Sequence, residues 1–264
     1  MFEAKFKERS QIEAFFDVAL CLFEREFKSK FGAYRYGLLW LMIEPTIHVV
    51  TFVLLLGGAA GLTDGAEGIT YFVLSGIVPF FIFRSVTKGI VGAIKSNKVM
   101  FSYPSIQPIH IVFAKVMYET FTYALSFAVI YFLANTFLSK NNYAVDYVLL
   151  IATLLATLVI SSGVGLFFMV LREFKPSIEK MVNIAFRPLY FLSGIFYSIS
   201  VVPEEYQFIF EFNPIAHIIE LTRYSLTGAE PVYGNILFVA QLGVVAAILG
   251  LGMYVVHKDK LRTP

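Results

Sequence analysis

The sequence predicts an all-α membrane protein. Six transmembrane helices are preceded by an amphipathic interface helix, with short re-entrant helices on the outer side before the last span. Three observations carry this. Of 264 residues, 58% are hydrophobic and only 15% are charged, whereas soluble domains carry about 25% charged residues. There is too little polar surface to cover a globule in water. The apolar residues fall into six long blocks, at 38–56, 69–83 with an extension to 94, 109–138, 147–171, 181–202 and 236–256. A spanning helix needs about 20 such residues, and a barrel would show short alternating segments instead. Finally, 19 of the 21 Lys and Arg residues sort to one side of these blocks, leaving only Lys140 and Arg223 on the other. Basic loops stay inside, so both termini are expected in the cytoplasm.

The chain divides into a cytoplasmic N-terminal segment at 1–37, a transmembrane domain at 38–256 that includes an outer re-entrant segment at 198–233, and a cytoplasmic tail at 257–264. The N-terminal segment has no short apolar core followed by a small-residue cleavage site, so no cleaved signal peptide is expected. Cys21 is the single cysteine, which rules out an intrachain disulfide or a cysteine metal cluster. Ile12, Phe15, Phe16, Ala19, Leu20, Phe23 and Phe27 recur at helical spacing, with Glu13, Asp17, Glu24, Arg25 and Lys28 on the other side. This predicts an amphipathic helix of about five turns. It suits the cytoplasmic membrane interface, and packing on a soluble partner is compatible with that.

The first span carries Glu44-Pro45. Pro45 removes a backbone donor and frees the carbonyl of Leu41. Glu44 lies roughly 9 Å into the span, where a carboxylate costs several kcal/mol unless paired or hydrated. Two readings stand open. In one, the membrane begins near Glu44 and Trp40 is an interfacial anchor. In the other, the kink lines a wet cytoplasmic entrance. The second span is rich in aromatics, with Tyr71, Phe72, Phe80, Phe81 and Phe83, and ends in Arg84 and Lys88, which can snorkel. The connection at 95–111 is basic, aromatic and bounded by Pro104 and Pro108. It reads either as an ordinary inner loop or as a docking surface.

On the third helix, Lys115 and Glu119 at i,i+4 predict a local ion pair, and Tyr123, Phe127 and Tyr131 share a face. Arg187-Pro188 sits near the inner end of the fifth span, where Tyr190, Phe191, Phe196 and Tyr197 crowd together. Such aromatics read as packing or interfacial groups, or as a conduit wall that offers sugar C–H groups a surface without strong single hydrogen bonds. Beyond the fifth span, Asn213 is a candidate N-cap, Pro214 the first helical residue and Gly228 a stop. The enclosed helix of about 14 residues spans roughly 21 Å, too short to cross. Ile215, Ile218, Ile219, Thr222 and Leu226 form its stripe, with His217, Glu220 and Arg223 apart from it. A backbone that dips without crossing needs protein or a wet cavity around it, which points to an outer vestibule.

Catalytic and nucleotide motifs are missing from the sequence. It holds no Gly-x-x-x-x-Gly-Lys-Ser/Thr, no His-Glu-x-x-His and no Gly-x-Ser-x-Gly. Phosphate-loop ATP binding, zinc proteolysis and serine hydrolysis therefore have no signature here. The four histidines are scattered. A membrane enzyme acting on lipid-linked sugars would have only Glu44 and Glu119 as acidic candidates within spans.

Two stretches carry a resemblance. FKSKFGAYRYGLLWLMIEPTIHVV, with its Tyr-Gly, Leu-Trp and Glu-Pro, and FLSGIFYSISVVPEEYQFIFEFNPIAHIIELTRYSLTG, with Asn-Pro, Ala-His and Glu-Leu-x-Arg, resemble the permease subunit of capsular polysaccharide ABC exporters in the type-two ABC transporter permease family. The resemblance covers essentially the whole chain. O-antigen and teichoic-acid permeases are near relatives. It implies a non-enzymatic permease that moves a lipid-linked polysaccharide across the bacterial inner membrane. Its implied partners are a second copy of itself, two ATP-binding subunits, and periplasmic and outer-membrane export components. Nucleic acid is not among them. This chain would bind no cofactor, and the partner ATPase would use ATP and magnesium.

By that resemblance, segments 24–31 and 96–107 face the ATPase, with Glu24, Arg25, Lys28, Lys98, Phe101, Ser102, Tyr103 and Pro104 as docking candidates. The first, second and fifth spans line a conduit between the two copies, with Arg35, Trp40, Glu44, Tyr71, Phe80, Arg187, Tyr190 and Tyr197 as candidates. Segment 203–228 is the outer re-entrant unit, carrying Asn213, Pro214, His217, Glu220 and Arg223. Glu44→Ala is expected to impair export while the protein still inserts. Wild-type surface polymer in that variant, measured on intact cells, would defeat the expectation.

Overall fold

The computed structural model describes residues 10–31, 37–60, 66–137 and 144–262, of which 30–31, 37–42, 44, 56–60, 66–67 and 262 are described for their backbone alone. The described residues form ten α-helices and no strand: α1 Gln11–Phe31, α2 Gly37–Ala60, α3 Ala66–Val91, α4 Ala93–Ser96, α5 Pro108–Phe137, α6 Tyr147–Phe174, α7 Ser177–Phe191, α8 Glu204–Glu211, α9 Pro214–Thr227 and α10 Ile236–Arg262. Four of them, α3, α5, α6 and α10, are long and apolar enough to cross a membrane, and α2 holds a shorter apolar helix at Pro45–Leu55. The chain is thus an all-α, multi-pass membrane protein.

Helix α3 is the centre. Of its most apolar stretch 78% is buried, against 17% for α10, because it packs against α2, α5, α6, α7 and α9. Leu74, Ile77, Phe80, Phe81 and Ile90 are among its enclosed side chains. Polar links match the helix directions. Ser85 meets Tyr123 at 2.8 Å and Tyr71 donates to Asn135 at 3.4 Å, so α3 and α5 are antiparallel. The Thr87 hydroxyl donates to the carbonyl of Ser161, and α3 and α6 run the same way.

Helices α6 and α10 also run side by side in one direction, and glycine lets them touch. A Cβ on Gly163 would sit 2.4 Å from the carbonyl carbon of Ala246, and one on Gly250 would sit 2.4 Å from the carbonyl oxygen of Gly163. Lipid tails are as apolar as leucine, so close backbone approach and dispersion hold membrane helices together. The remaining apolar side chains of α10, such as Leu237, Val244, Ile248 and Val255, are exposed and form the belt expected where protein meets lipid.

Helix α1 opens with reciprocal caps. Ser10 Oγ accepts from the amide of Glu13 at 3.1 Å, and Glu13 Oε2 accepts from the amide of Ser10 at 3.0 Å, a capping box that satisfies two free donors. The helix packs along the first half of α5. Phe15 contacts His110 and Phe113, and Phe23 and Phe27 contact Phe121. Ile12, Phe16 and Leu20 remain exposed on another face. The apolar stripe therefore divides between a helix partner and the surroundings.

The fifth apolar block, at 181–202, departs from the sequence expectation of one span. Helix α7 ends at Phe191, and the chain turns through Gly194, whose φ of +73° is a left-handed value that glycine adopts freely. A short 3-10 turn at Ile199–Val201 then leads into α8. Hydropathy continues through the turn because its residues pack inward: Ser193, Gly194, Ile195 and Ile199 are buried.

Gly163→Ala is expected to push α6 and α10 apart, since backbone atoms occupy the space. Overpacking of this kind costs about 1–3 kcal/mol. Thermal unfolding of the detergent-solubilised protein should show a lower midpoint than wild type, whereas Gly252→Ala, whose Cβ meets nothing within 4 Å, should leave it unchanged.

Candidate functional site

A cleft of about 480 Å³ opens between α2, α3 and α7. It is lined by His48 from α2, Phe80, Phe81, Arg84 and Lys88 from α3, and Asn183, Phe186, Arg187, Tyr190 and Phe191 from α7. One wall is aromatic. The Phe81 and Tyr190 rings stack 6.2 Å apart at 5°, Phe80 lies 4.9 Å from Tyr190, and His48 stands edge-on to Phe81 at 5.0 Å. The Arg84 guanidinium lies 5.7 Å from the Phe81 ring centre, at cation–π distance. Arg84, Lys88 and Arg187 bring three positive charges to a site with no carboxylate among its lining residues. The Tyr190 hydroxyl is buried with no hydrogen-bond partner among the described residues.

At Asn183 this cleft adjoins a second cavity, of about 530 Å³, at the basic end of the bundle. It is lined by Lys95, Lys98, Arg172, Glu173, Pro176, Glu179, Lys180 and Asn183. Arg172, buried at the end of α6, donates to Glu173 at 2.8 Å and to Glu179 at 3.0 Å, and Lys95 stands 3.9 Å from Glu179. The two cavities form one basic tract from Lys98 to Arg84.

Beside that mouth, α1 meets the connection that follows α3. The Arg25 guanidinium donates to the Asn97 side chain. Asn97 is buried and in turn donates to the carbonyl of Ala93 at 2.8 Å. Lys115 pairs with Glu26 of α1, a tie between α1 and α5 that spacing within one helix does not show. Behind these ties, Lys98, Val99, Ser102, Tyr103 and Pro104 are exposed, and Phe101 is half-buried. Glu24 and Lys28 are exposed and pair at 3.4 Å. The docking candidates from two distant segments thus share one face.

At the opposite end, α9 is capped as its sequence suggests. Asn213 Oδ1 accepts from the amide of Ile215 at 3.0 Å, Pro214 opens the helix, and Gly228 closes it at φ +71°. Its polar residues do not face a vestibule. His217, Glu220 and Arg223 are buried with the apolar ones. Arg223 donates to Glu220 Oε1 at 2.6 Å and to the carbonyl of Gly194 at 3.1 Å, and lies 3.7 Å from the Phe72 ring centre. Glu220 Oε2 accepts from the amide of Val232 at 3.0 Å. His217 accepts from the amide of Asn235 at Nδ1, which leaves Nε2 to donate to the carbonyl of Glu211 at 2.9 Å. His217 and Glu220 hold the connection between α9 and α10, and Arg223 holds the turn after α7, so this face is an anchor. The polar residues fit a buried position because their partners are backbone groups that would otherwise be stranded.

Of the conduit candidates, Phe80, Arg187 and Tyr190 meet in the cleft. Tyr71 lies between α3 and α5, near Tyr131. Tyr197 donates to the carbonyl of Phe191 at 3.0 Å and packs on Phe210 in the outer unit. Arg35 lies outside the described residues, as do the side chains of Trp40 and Glu44. Sequence reasoning passed over His48, Arg84 and Lys88 as lining groups, although a basic residue one turn beyond an aromatic run was the available signal.

A family model for ABC-2 type transporters matches residues 19–227. The chain is 30% identical to the polysialic acid transport protein KpsM of Escherichia coli over 246 residues, 92% of this chain and 94% of that protein. It is 24% identical to the capsule polysaccharide export inner-membrane protein CtrC of Neisseria meningitidis over 236 residues, 88% of each. It is 21% identical to the O-antigen export system permease protein RfbA of Klebsiella pneumoniae over 248 residues, 94% of this chain and 93% of that protein.

Arg223→Gln leaves Glu220 buried without its cation. Breaking such a pair from one side costs about 3–5 kcal/mol. Thermal unfolding in detergent should show a large drop in midpoint for Arg223→Gln and almost none for the neighbouring exposed Tyr224→Ala.

Proposed function

The chain belongs to the ABC-2 type transporter family, and from that premise we propose that it is the membrane permease of an exporter for a lipid-linked capsular polysaccharide in the bacterial inner membrane. The observation that carries the reading is the cleft between α2, α3 and α7. Its aromatic wall suits the C–H faces of sugar rings, and a chain that must keep moving is better served by such faces than by strong single hydrogen bonds. Arg84, Lys88 and Arg187 suit the negative charge of a phosphate link or of acidic sugars. Relatives named for polysialic acid transport and capsule polysaccharide export support the same cargo class.

The energy comes from outside this chain. Two separate ATPase subunits, using ATP and magnesium, serve two copies of the permease. The basic end is the cytoplasmic one, with both termini on that side, as the distribution of Lys and Arg favours. The face formed by α1 and the connection at 97–107 receives the ATPase. Arg25 and Asn97 support this by fixing one docking segment against the other. A second reading, export of O-antigen, draws on the likeness to RfbA and uses the same cleft.

Arg187→Gln and Arg84→Gln test the assignment. In membrane vesicles that contain the ATPase, both should insert normally and hydrolyse ATP while ATP-driven uptake of the polymer falls about tenfold or more, as loss of a charge-assisted contact of about 1.5–3 kcal/mol implies. Undiminished uptake by the double variant would remove the cleft from the cargo path. Accumulation of intracellular polymer after deletion of the gene, and which polymer it is, separates capsule from O-antigen.

A further inference from the structure

Helix α7 supplies half the cleft wall yet is barely held by packing. Among its residues only Val182 and Phe186 are buried. Behind it, on the side away from the cleft, lies an apolar cavity of about 280 Å³ between α3, α6 and α7, lined among others by Phe83, Val164, Phe168, Met181 and Ala185. A helix with open space on both faces can shift without displacing interlocked side chains, which is the usual obstacle to movement in a packed interior.

Its two ends are held differently. At the acidic end, the buried helix α9 grips the turn that follows it. Asn213 Nδ2 donates to the carbonyl of Leu192 at 3.2 Å and to Ser193 Oγ at 3.1 Å, and Arg223 donates to the carbonyl of Gly194 at 3.1 Å. At the basic end, the two-residue link Lys175-Pro176 joins it to α6, and one carboxylate adds the side-chain ties. Glu179 accepts from Arg172 Nε of α6 at 3.0 Å and stands 3.9 Å from Lys95 of α4. Lys95 lies two residues before the connection that begins at Asn97. One end is therefore a fixed pivot, and the other is an ionic tether to the segment beside the docking face.

We propose that Glu179 is the positioning residue of the cleft: by tethering the basic end of α7 to Arg172 and Lys95, it sets how far the α7 wall stands from α2 and α3. The role of this opening in export rests on the reading of the cleft as the cargo path, whereas the tether itself does not. A pull on Lys95 by a docked ATPase would reach Arg187 through Glu179 along α7, with Pro188 beside the held turn at its far end.

The test uses the full chain with Cys21→Ser and Asn183→Cys, in inside-out membrane vesicles with the ATPase present. The readout is the rate of modification by a membrane-impermeant maleimide, alongside ATP-driven export. Glu179→Gln should change the modification rate several-fold and lower export at unchanged ATP hydrolysis. The conservative variant Glu179→Asp, which keeps the carboxylate between Arg172 and Lys95, should retain most of both. Adding Ala185→Leu, which fills the cavity behind α7, should return the modification rate of Glu179→Gln toward wild type. An unchanged rate in Glu179→Gln overturns the proposal. Loss of the protein from the membrane in both Glu179→Gln and Glu179→Asp also overturns it, because the carboxylate then serves folding alone. If Glu179→Gln alters the rate while the Arg84 and Arg187 variants export normally, the tether stands and the cargo path lies elsewhere.

Discussion

A charged side chain enclosed by apolar helices must find an opposite charge, because burying it alone costs more than a domain's whole margin of stability. Three buried cations answer to that constraint here. Lys115 is met by Glu26, Arg172 by Glu173 and Glu179, and Arg223 by Glu220. Each pair sits where apolar packing alone would leave an element loose: α1 beside α5, α7 beneath α6, and α9 against α3. Two of the pairs tie one helix to another, α1 to α5 and α7 to α6, while the third lies within α9 and leaves Arg223 free to reach the Gly194 carbonyl and the Phe72 ring of α3. In water such contacts would add little, but inside the bundle they decide which loops are fixed and which are adjustable.

The apolar side of the fold follows from different physics. Between membrane helices the hydrophobic effect contributes little, so contact area and close approach dominate. Gly163 and Gly250 bring α6 and α10 within backbone contact, and the enclosed face of α3 does the rest. This leaves α2 and α7 at the periphery of α3, joined to it through aromatic rings with the cleft between them. The cleft is thus a consequence of where the tight packing stops.

Much of the helical fold was legible because its signals are local. Long apolar blocks announced the four helices that suffice to span, and Asn213, Pro214 and Gly228 marked the ends of α9 to the residue. What failed was non-local. Lys115 pairs with Glu26, 89 positions away, a contact that spacing along one helix cannot show. The polar residues of α9 stood apart from its apolar stripe, and a helical wheel shows which residues cluster but not which loops fold over them. Hydropathy also ran straight through the turn at 192–198, since a buried turn is as apolar as a span. In the candidate site, Phe80, Arg187 and Tyr190 were readable from their places on two spans. His48 was not, because only the packing of α2 across α3 brings it to the same wall.

An extended polymer cannot be enclosed in one snug pocket, so the machinery that moves it has to hold weakly and reset often. That requirement favours many modest contacts over a few strong ones, and the composition of the cleft meets it. Aromatic faces give area without direction, while long cationic side chains reach a charge and release it by changing rotamer. It also favours a wall that moves as a unit. Helix α7 is built for that: it is short, thinly packed, pinned at the acidic end by hydrogen bonds from a buried helix and at the basic end by a carboxylate between two cations. Under the proposed coupling, a displacement near Lys95 becomes a change of spacing at Tyr190 through one short helix.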